Sequence, residues 1–166
     1  MVSKTDIMNL EEMVWLSFQD IPNNSSASVS KLQLLAQELK SADLKYQMQT
    51  AGSLEYIETG FSGDNTTVKI RAIALGNNDE FKILSAELAK FPQPKLDAGY
   101  KLENELNDKY KYVKFTIDKD GDLAVQWDLP DNVPNEAVGR TGVEILLRMF
   151  KIIDDAYPEI MKTIWS

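Results

Sequence analysis

The stretch TIDKDGDLAVQWDL, residues 116 to 129, sets Asp118, Asp120 and Asp122 at alternate positions around Gly121. Alternating carboxylates are how a calcium loop supplies its oxygen ligands. An EF-hand loop counted from Asp118 needs glycine at its sixth position and a bidentate glutamate at its twelfth. Those positions hold Leu123 and Leu129, and both flanks alternate as strands. Asp-Gly between alternating apolar runs is a hairpin signal, and Gly121 supplies the positive φ that such a turn needs. The expectation is a tight turn with its carboxylates in water, and no metal.

Other chemistry is limited by what the chain lacks. It has no histidine and no cysteine. Imidazole-based triads and dyads, histidine zinc or iron sites, thiolate sites and disulfides are all excluded. Asp154 and Asp155 adjoin, as do Glu11 and Glu12, but neighbours on a helix do not face each other, so neither pair makes a dyad. The GRTG stretch at 139–142 lacks the Lys-Ser/Thr ending of a phosphate loop and reads as the opening turns of a helix. Ser25, Ser26 and Ser28 have no base partner in the pattern and read as loop and cap residues. No catalytic, cofactor-binding or metal-ligating residue is expected, and no cofactor. A carboxylate- or metal-dependent enzyme is the second reading, and it requires a pocket holding at least two buried, convergent acids.

The 166 residues suffice for one domain with a sizeable core, expected over 1–166. With a net charge of −8 and no basic cluster, the surface repels phosphate backbones, so no nucleic-acid partner is expected. No apolar run reaches the roughly 20 residues that cross a bilayer. The first residues, MVSKTDIMNLEEM, lack the apolar stretch of a secretion signal. These features lead to an expected cytoplasmic protein with no membrane partner.

The elements follow from periodicity. Ile7, Leu10, Val14 and Phe18 mark a helix over 5–21, ended by the turn formers PNNSSAS. Ser30 and Gln33 form a capping pattern for a helix over 30–44, with Leu32, Leu35, Ala36 and Leu39 as its stripe. Period two then takes over in SLEYIETGF, TTVKIRAIAL and EFKILSAELAKF, three strands of an antiparallel meander. The first is ambiguous, since either Tyr56 or Ile57 fits the inner face. Leu102 and Leu106 mark a helix over about 96–109. A hairpin over 110–129 turns Val113, Phe115 and Ile117 inward with Leu123, Val125, Trp127 and Leu129. A last helix opens near Pro134 with a broad apolar stripe, Arg140, Glu144 and Arg148 lie on its far side, and Pro158 is expected to restart it. Trp127 is expected in the core; Trp15 and Trp165 are candidate surface anchors. The fold class is α+β, an antiparallel sheet of about five strands with helices packed on it, in the order α-α-β-β-β-α-β-β-α.

LENELNDKYKYVKFTIDKDGDLAVQWDLP resembles the YbjN-like family. The resemblance rests on Asn104, Leu106 and Asn107 at a helix end, then the hairpin strands Tyr112 to Ile117 and Leu123 to Leu129 around the Asp-Gly turn, then a final helix. It is good over about 96–157 and weaker over 30–91, so residues 30–166 are the expected core and the helix within 1–22 an addition. The resemblance implies a fold similar to type III secretion chaperones, a homodimer, and a noncatalytic role in regulation or in binding a protein or peptide segment. It carries no active site. Asn104 and Asn107 are expected to cap the helix end and tie it to the next strand.

Overall fold

A computed structural model of the chain describes residues 30–75 and 80–166. The helix expected over 5–21 and the segment after it lie outside the described residues. Ser30 opens the first described helix, α1 (Lys31–Ser41), through the predicted capping box. The Gln33 N–H donates to Ser30 Oγ at 3.2 Å, and the Ser30 N–H donates to Gln33 Oε1 at 3.3 Å. Two N–H groups that a helix start leaves unserved are thereby satisfied. Leu32, Leu35 and Leu39 form the buried stripe.

The strands are β1 (Gln47–Ala51), β2 (Leu54–Ser62), β3 (Thr67–Leu75), β4 (Glu80–Lys90), β5 (Lys114–Ile117) and β6 (Asp122–Leu129). They form one six-stranded sheet in the order β1-β2-β3-β4-β6-β5, with every pairing antiparallel. The expected count of about five therefore rises to six. The strand not anticipated is β1, QMQTA, whose residues are mostly polar and only Ala51 of which is buried. An edge strand facing water on most sides carries no apolar alternation to betray it. A two-residue loop, Gly52–Ser53, joins it to β2. Of those two residues only Gly52 has a positive φ, 59°, as the first central residue of a type II′ turn requires.

Both faces of the sheet bury apolar residues. Ile57, Ile70, Phe81, Ile83, Phe115 and Val125 join the helices in the main core. Tyr56, Ile73 and Leu84, one step out of phase with that set, form a second cluster on the other face with Ala51 and Leu54. Consecutive strand residues point to opposite faces, so Tyr56 and Ile57 are both buried and the ambiguity in SLEYIETGF has a structural cause. Between Ser85 and Ala89 the β4–β6 register shifts, with Glu87 at φ 54° inside the irregularity. There the Ser85 hydroxyl donates to the Lys69 carbonyl at 2.9 Å, taking up an acceptor of the neighbouring strand.

Helix α2 (Leu96–Lys109) and helix α3 (Asn135–Trp165) are the remaining described helices. In α3, Gly139 and Gly142 let α1 approach closely: a Cβ on Gly139 would lie 2.8 Å from the Leu34 carbonyl oxygen, and one on Gly142 would lie 2.8 Å from Leu35 Cδ1. GRTG is thus a helix-crossing surface. Arg148 donates to Glu144 at 2.7 Å on the exposed side, as expected. Pro158, by contrast, does not restart the helix; α3 runs through it unbroken for 31 residues. Proline removes the N–H that would serve the carbonyl four residues earlier, here that of Asp154. The Asn65 side-chain amide donates to that carbonyl at 3.1 Å instead. The Asp154 carboxylate in turn accepts the backbone N–H groups of Asp64 at 3.1 Å, Asn65 at 2.9 Å and Thr66 at 2.9 Å. Burial alone would push this carboxyl up, but those N–H donors hold it below the usual carboxylate range. The β2–β3 turn is clamped to the helix where the helix needed a partner.

Candidate functional site

The two ends of the sheet are finished differently. At one end β5 has β6 on one side only. Side chains of α2 take outward backbone groups of Phe115 and Ile117. The Phe115 N–H donates to Asn107 Oδ1 at 2.8 Å, and Asn107 Nδ2 donates to the Phe115 carbonyl at 3.0 Å. The Ile117 N–H donates to Glu103 Oε2 at 3.1 Å. Positions 103 and 107 stand one helical turn apart, so both side chains reach the same strand. Asn107 thus ties the helix to the strand as expected. Asn104 does not: it is exposed and its side chain makes no hydrogen bond among the described residues. The share taken by Glu103 was not legible, because its partner sits 14 positions along the chain and no local pattern links them.

At the other end β1 has β2 on one side and, among the described residues, no strand on the other. A two-residue loop makes Ala51 and Leu54 a hydrogen-bonded pair, and such pairs alternate with non-bonded ones along an antiparallel ladder. Gln49 with Tyr56 and Gln47 with Glu58 are then the bonded pairs. The N–H and C=O groups of Met48 and Thr50 point away from the sheet, and no described strand pairs with them. The Met48 side chain is 48% exposed. This is the geometry that accepts an added strand.

A cleft of about 660 Å³ continues this edge. It exists because β1 begins opposite Glu58, while β2 runs on to Ser62. Thr59 and Gly60 line one side, and the α1–β1 connection, Asp43 to Tyr46, lines the other. The Thr59 hydroxyl holds that connection by donating to the Lys45 carbonyl at 2.8 Å. Lys40, Lys45 and Lys69 also line the cleft, against Asp43 and Glu58. Glu58 is already engaged: Arg71 Nε donates to its Oε2 at 3.0 Å, and Lys69 Nζ lies 3.7 Å from its Oε1. The cleft is therefore locally cationic in a chain of net charge −8.

The remaining candidates fall elsewhere. The DKDGD stretch is the predicted turn. Asp118 Oδ1 accepts the N–H groups of Asp120 and Asp122, each at 2.9 Å, and Gly121 sits at φ 87°. Asp122 is not simply in water; Lys90 of β4 binds it at 2.9 Å, and that hydrogen bond raises the Lys90 ammonium above its ordinary value. Among the described residues no group of three or more acids is placed to hold a metal ion. Asp154 and Asp155 diverge, the first to the β2–β3 turn and the second to Lys151 at 3.3 Å. Trp127 is half-buried against the main core, with the Tyr112 ring stacked on it at 5.4 Å. Tyr112 itself is 70% exposed at φ 73°, so the chain enters β5 through a left-handed residue. Trp165 is 82% exposed at the end of α3, and Trp15 lies outside the described residues.

One antiparallel sheet with its described helices on a single face, one edge closed by α2 and the other paired with no described strand, defines a small α+β domain. No described helix is long and apolar enough to cross a membrane. Residues 31–160 match the model of the YbjN family, described as "Putative bacterial sensory transduction regulator", and the chain belongs to that family. No curated protein matches it.

Proposed function

We propose that this chain is a noncatalytic regulator that works by holding an extended polypeptide segment, in a chaperone-like way, along the open edge of β1. The observation that carries this reading is the asymmetry of the sheet: Asn107 and Glu103 close the β5 end, while Met48 and Thr50 present backbone that no described strand pairs with at the other. Main-chain hydrogen bonds would give affinity and alternate side-chain positions specificity. The lysines of the adjoining cleft favour a segment carrying acidic residues. A second copy of the chain can occupy the same edge, which is the route to the expected homodimer. The regulatory role of the family supports this reading.

Thr50→Pro tests it. Proline there removes an outward N–H and leaves the bonded pairs with β2 in place. Capture from an extract of the native host, followed by titration calorimetry with the captured segment, should show binding to the natural chain and its loss in Thr50→Pro. Equal affinity in the two proteins refutes the edge as the site. Light scattering on both proteins reads self-association in parallel.

A further inference from the structure

The cleft beside β1 gives the edge a direction. In the β1–β2 ladder Tyr56 and Glu58 turn their N–H and C=O groups toward β1, so Gly60, two residues further on, turns its own the same way. β1 begins opposite Glu58, and the one described strand neighbour of Gly60 is Lys69 of β3. The outward backbone groups of Gly60 therefore face the cleft that it lines. The missing side chain keeps that route clear, since a Cβ on Gly60 would meet only the Val68 carbonyl oxygen, at 3.9 Å. Lys69, directly across from Gly60, shares its face of the sheet with Glu58 and lies 3.7 Å from Glu58 Oε1. Lys40, in the last turn of α1, and Lys45 line the cleft as well.

We propose that the segment held at the β1 edge runs antiparallel to β1 and carries its acidic residues after, not before, the stretch that pairs with β1. The proposal rests on β1 being the binding edge, and adds to it a polarity and a spacing. Antiparallel addition continues the pairing of every strand in the sheet and is the stabler mode per residue. The segment's leading end then lies beside Ala51 and its trailing end beside Gln47. Past Gln47, β1 no longer separates the segment from β2, and the segment can step in toward Gly60. The register sets the distance. Gln47 lies opposite Glu58 and Met48 opposite Ile57, so the level of Gly60 is two residues past Gln47 and three past Met48. The third residue after the one beside Met48 thus arrives at the cleft, roughly 10 Å along the segment. Alternation turns its side chain to the face opposite that of Met48, which is the face of Glu58 and Lys69. Glu58 is engaged by Arg71, so the lysines are the groups left to meet an incoming carboxylate. The residue beside Met48 shares the face of that exposed apolar side chain and gains by being apolar itself. The client is a strand-forming segment with an apolar residue followed, three or more positions later, by acids.

Two synthetic peptides, blocked at both ends, read the polarity on the full chain by titration calorimetry. One alternates threonine and valine and ends in a run of glutamates; the other is the same sequence reversed. The first should bind about tenfold tighter, the effect of two or three partly exposed charge pairs. Lys45→Gln with Lys69→Gln should bring the two affinities to within about twofold, and Thr50→Pro should bind neither peptide. Raising the salt to about 1 M, where the screening length is about 3 Å, should erase the preference in the natural chain, which guards against a misfolded variant. Equal affinities at low salt, or tighter binding of the reversed peptide, overturn the polarity, while loss of both in Thr50→Pro still upholds the edge. A preference that survives both the lysine substitutions and high salt overturns the cleft as its source. Binding of neither peptide to the natural chain overturns the proposal and leaves the edge to be decided by the captured segment. A dimer that saturating peptide does not dissociate, read by light scattering, assigns the edge to a second copy and overturns it too.

Discussion

Asn107→Ala is the sharpest probe of how the β5 end is closed. The substitution removes one acceptor, 2.8 Å from the Phe115 N–H, and one donor, 3.0 Å from the Phe115 carbonyl. Each such bond is worth about 1 kcal/mol net, so the pair contributes about 2 kcal/mol. No apolar burial is lost, because the Asn107 residue is exposed apart from the groups it bonds. For a domain of this size each kcal/mol moves the thermal midpoint by about 3 °C, so Tm should fall by about 6 °C. If β5 opens locally, exchange of the Phe115 amide should rise about 30-fold, the same 2 kcal/mol expressed as a population. Asn104→Ala is the matched control on the same helix end. With no side-chain hydrogen bond among the described residues to lose, it should stay within about 0.5 kcal/mol of the natural chain. Urea unfolding and amide exchange on the three proteins decide the matter. An Asn107→Ala protein within 0.5 kcal/mol of the natural one, with Phe115 exchange unchanged, would refute the sealed edge and with it the asymmetry on which the functional proposal rests.

Gly121→Ala should destabilise by about 3 kcal/mol or more in urea unfolding, because alanine at φ 87° costs about 1–2 kcal/mol and its Cβ also collides with the Phe91 carbonyl oxygen. Asn65→Ala should cost about 1 kcal/mol in the natural chain and nearly nothing in Pro158→Ala, where the restored N–H serves the Asp154 carbonyl; equal costs in both backgrounds, read by a double-mutant cycle, would break that link. Asp154→Asn should weaken the fold at neutral pH. The Asp154 carboxyl is held low in the folded state, so its contribution is complete above the ordinary carboxylate range near pH 4 and disappears as pH falls through the lower folded value. The stability gap between natural and variant chains should therefore narrow below about pH 4, and a constant gap across urea titrations at several pH values would refute this.

Much of the fold was legible because one face of each element was written in apolar residues. The capping box at Ser30, the meander, the Asp-Gly hairpin and the stripe of α3 are all local patterns, and local patterns survive in one sequence. What escaped was non-local or polar. The strand QMQTA faces water, so its only signal was the Gly-Ser pair before Leu54, a two-residue hairpin loop. Pro158 reads as a break only until Asn65, 89 positions earlier than Asp154, supplies the missing donor. Tyr56, Ile73 and Leu84 were visible as apolar residues out of phase, and the second buried face is what that phase error meant. The candidate site was the least legible part. An open edge is defined by what does not pair with it, and the sealing of the opposite edge depends on Glu103 meeting Ile117 across the helix–strand turn.

The unequal ends of the sheet also set an upper limit on assembly. If two copies join edge to edge, each contributes β1, so the strands meet about a twofold axis and the contact is the same surface used twice. The continuous sheet that results ends at β5 on both sides, where Asn107 and Glu103 already hold the outward backbone. Edge-to-edge growth through β1 would then stop at two. A captured segment and a second copy would compete for that one end. Dilution would then release the edge for its client, and crowding of the chain with itself would close it.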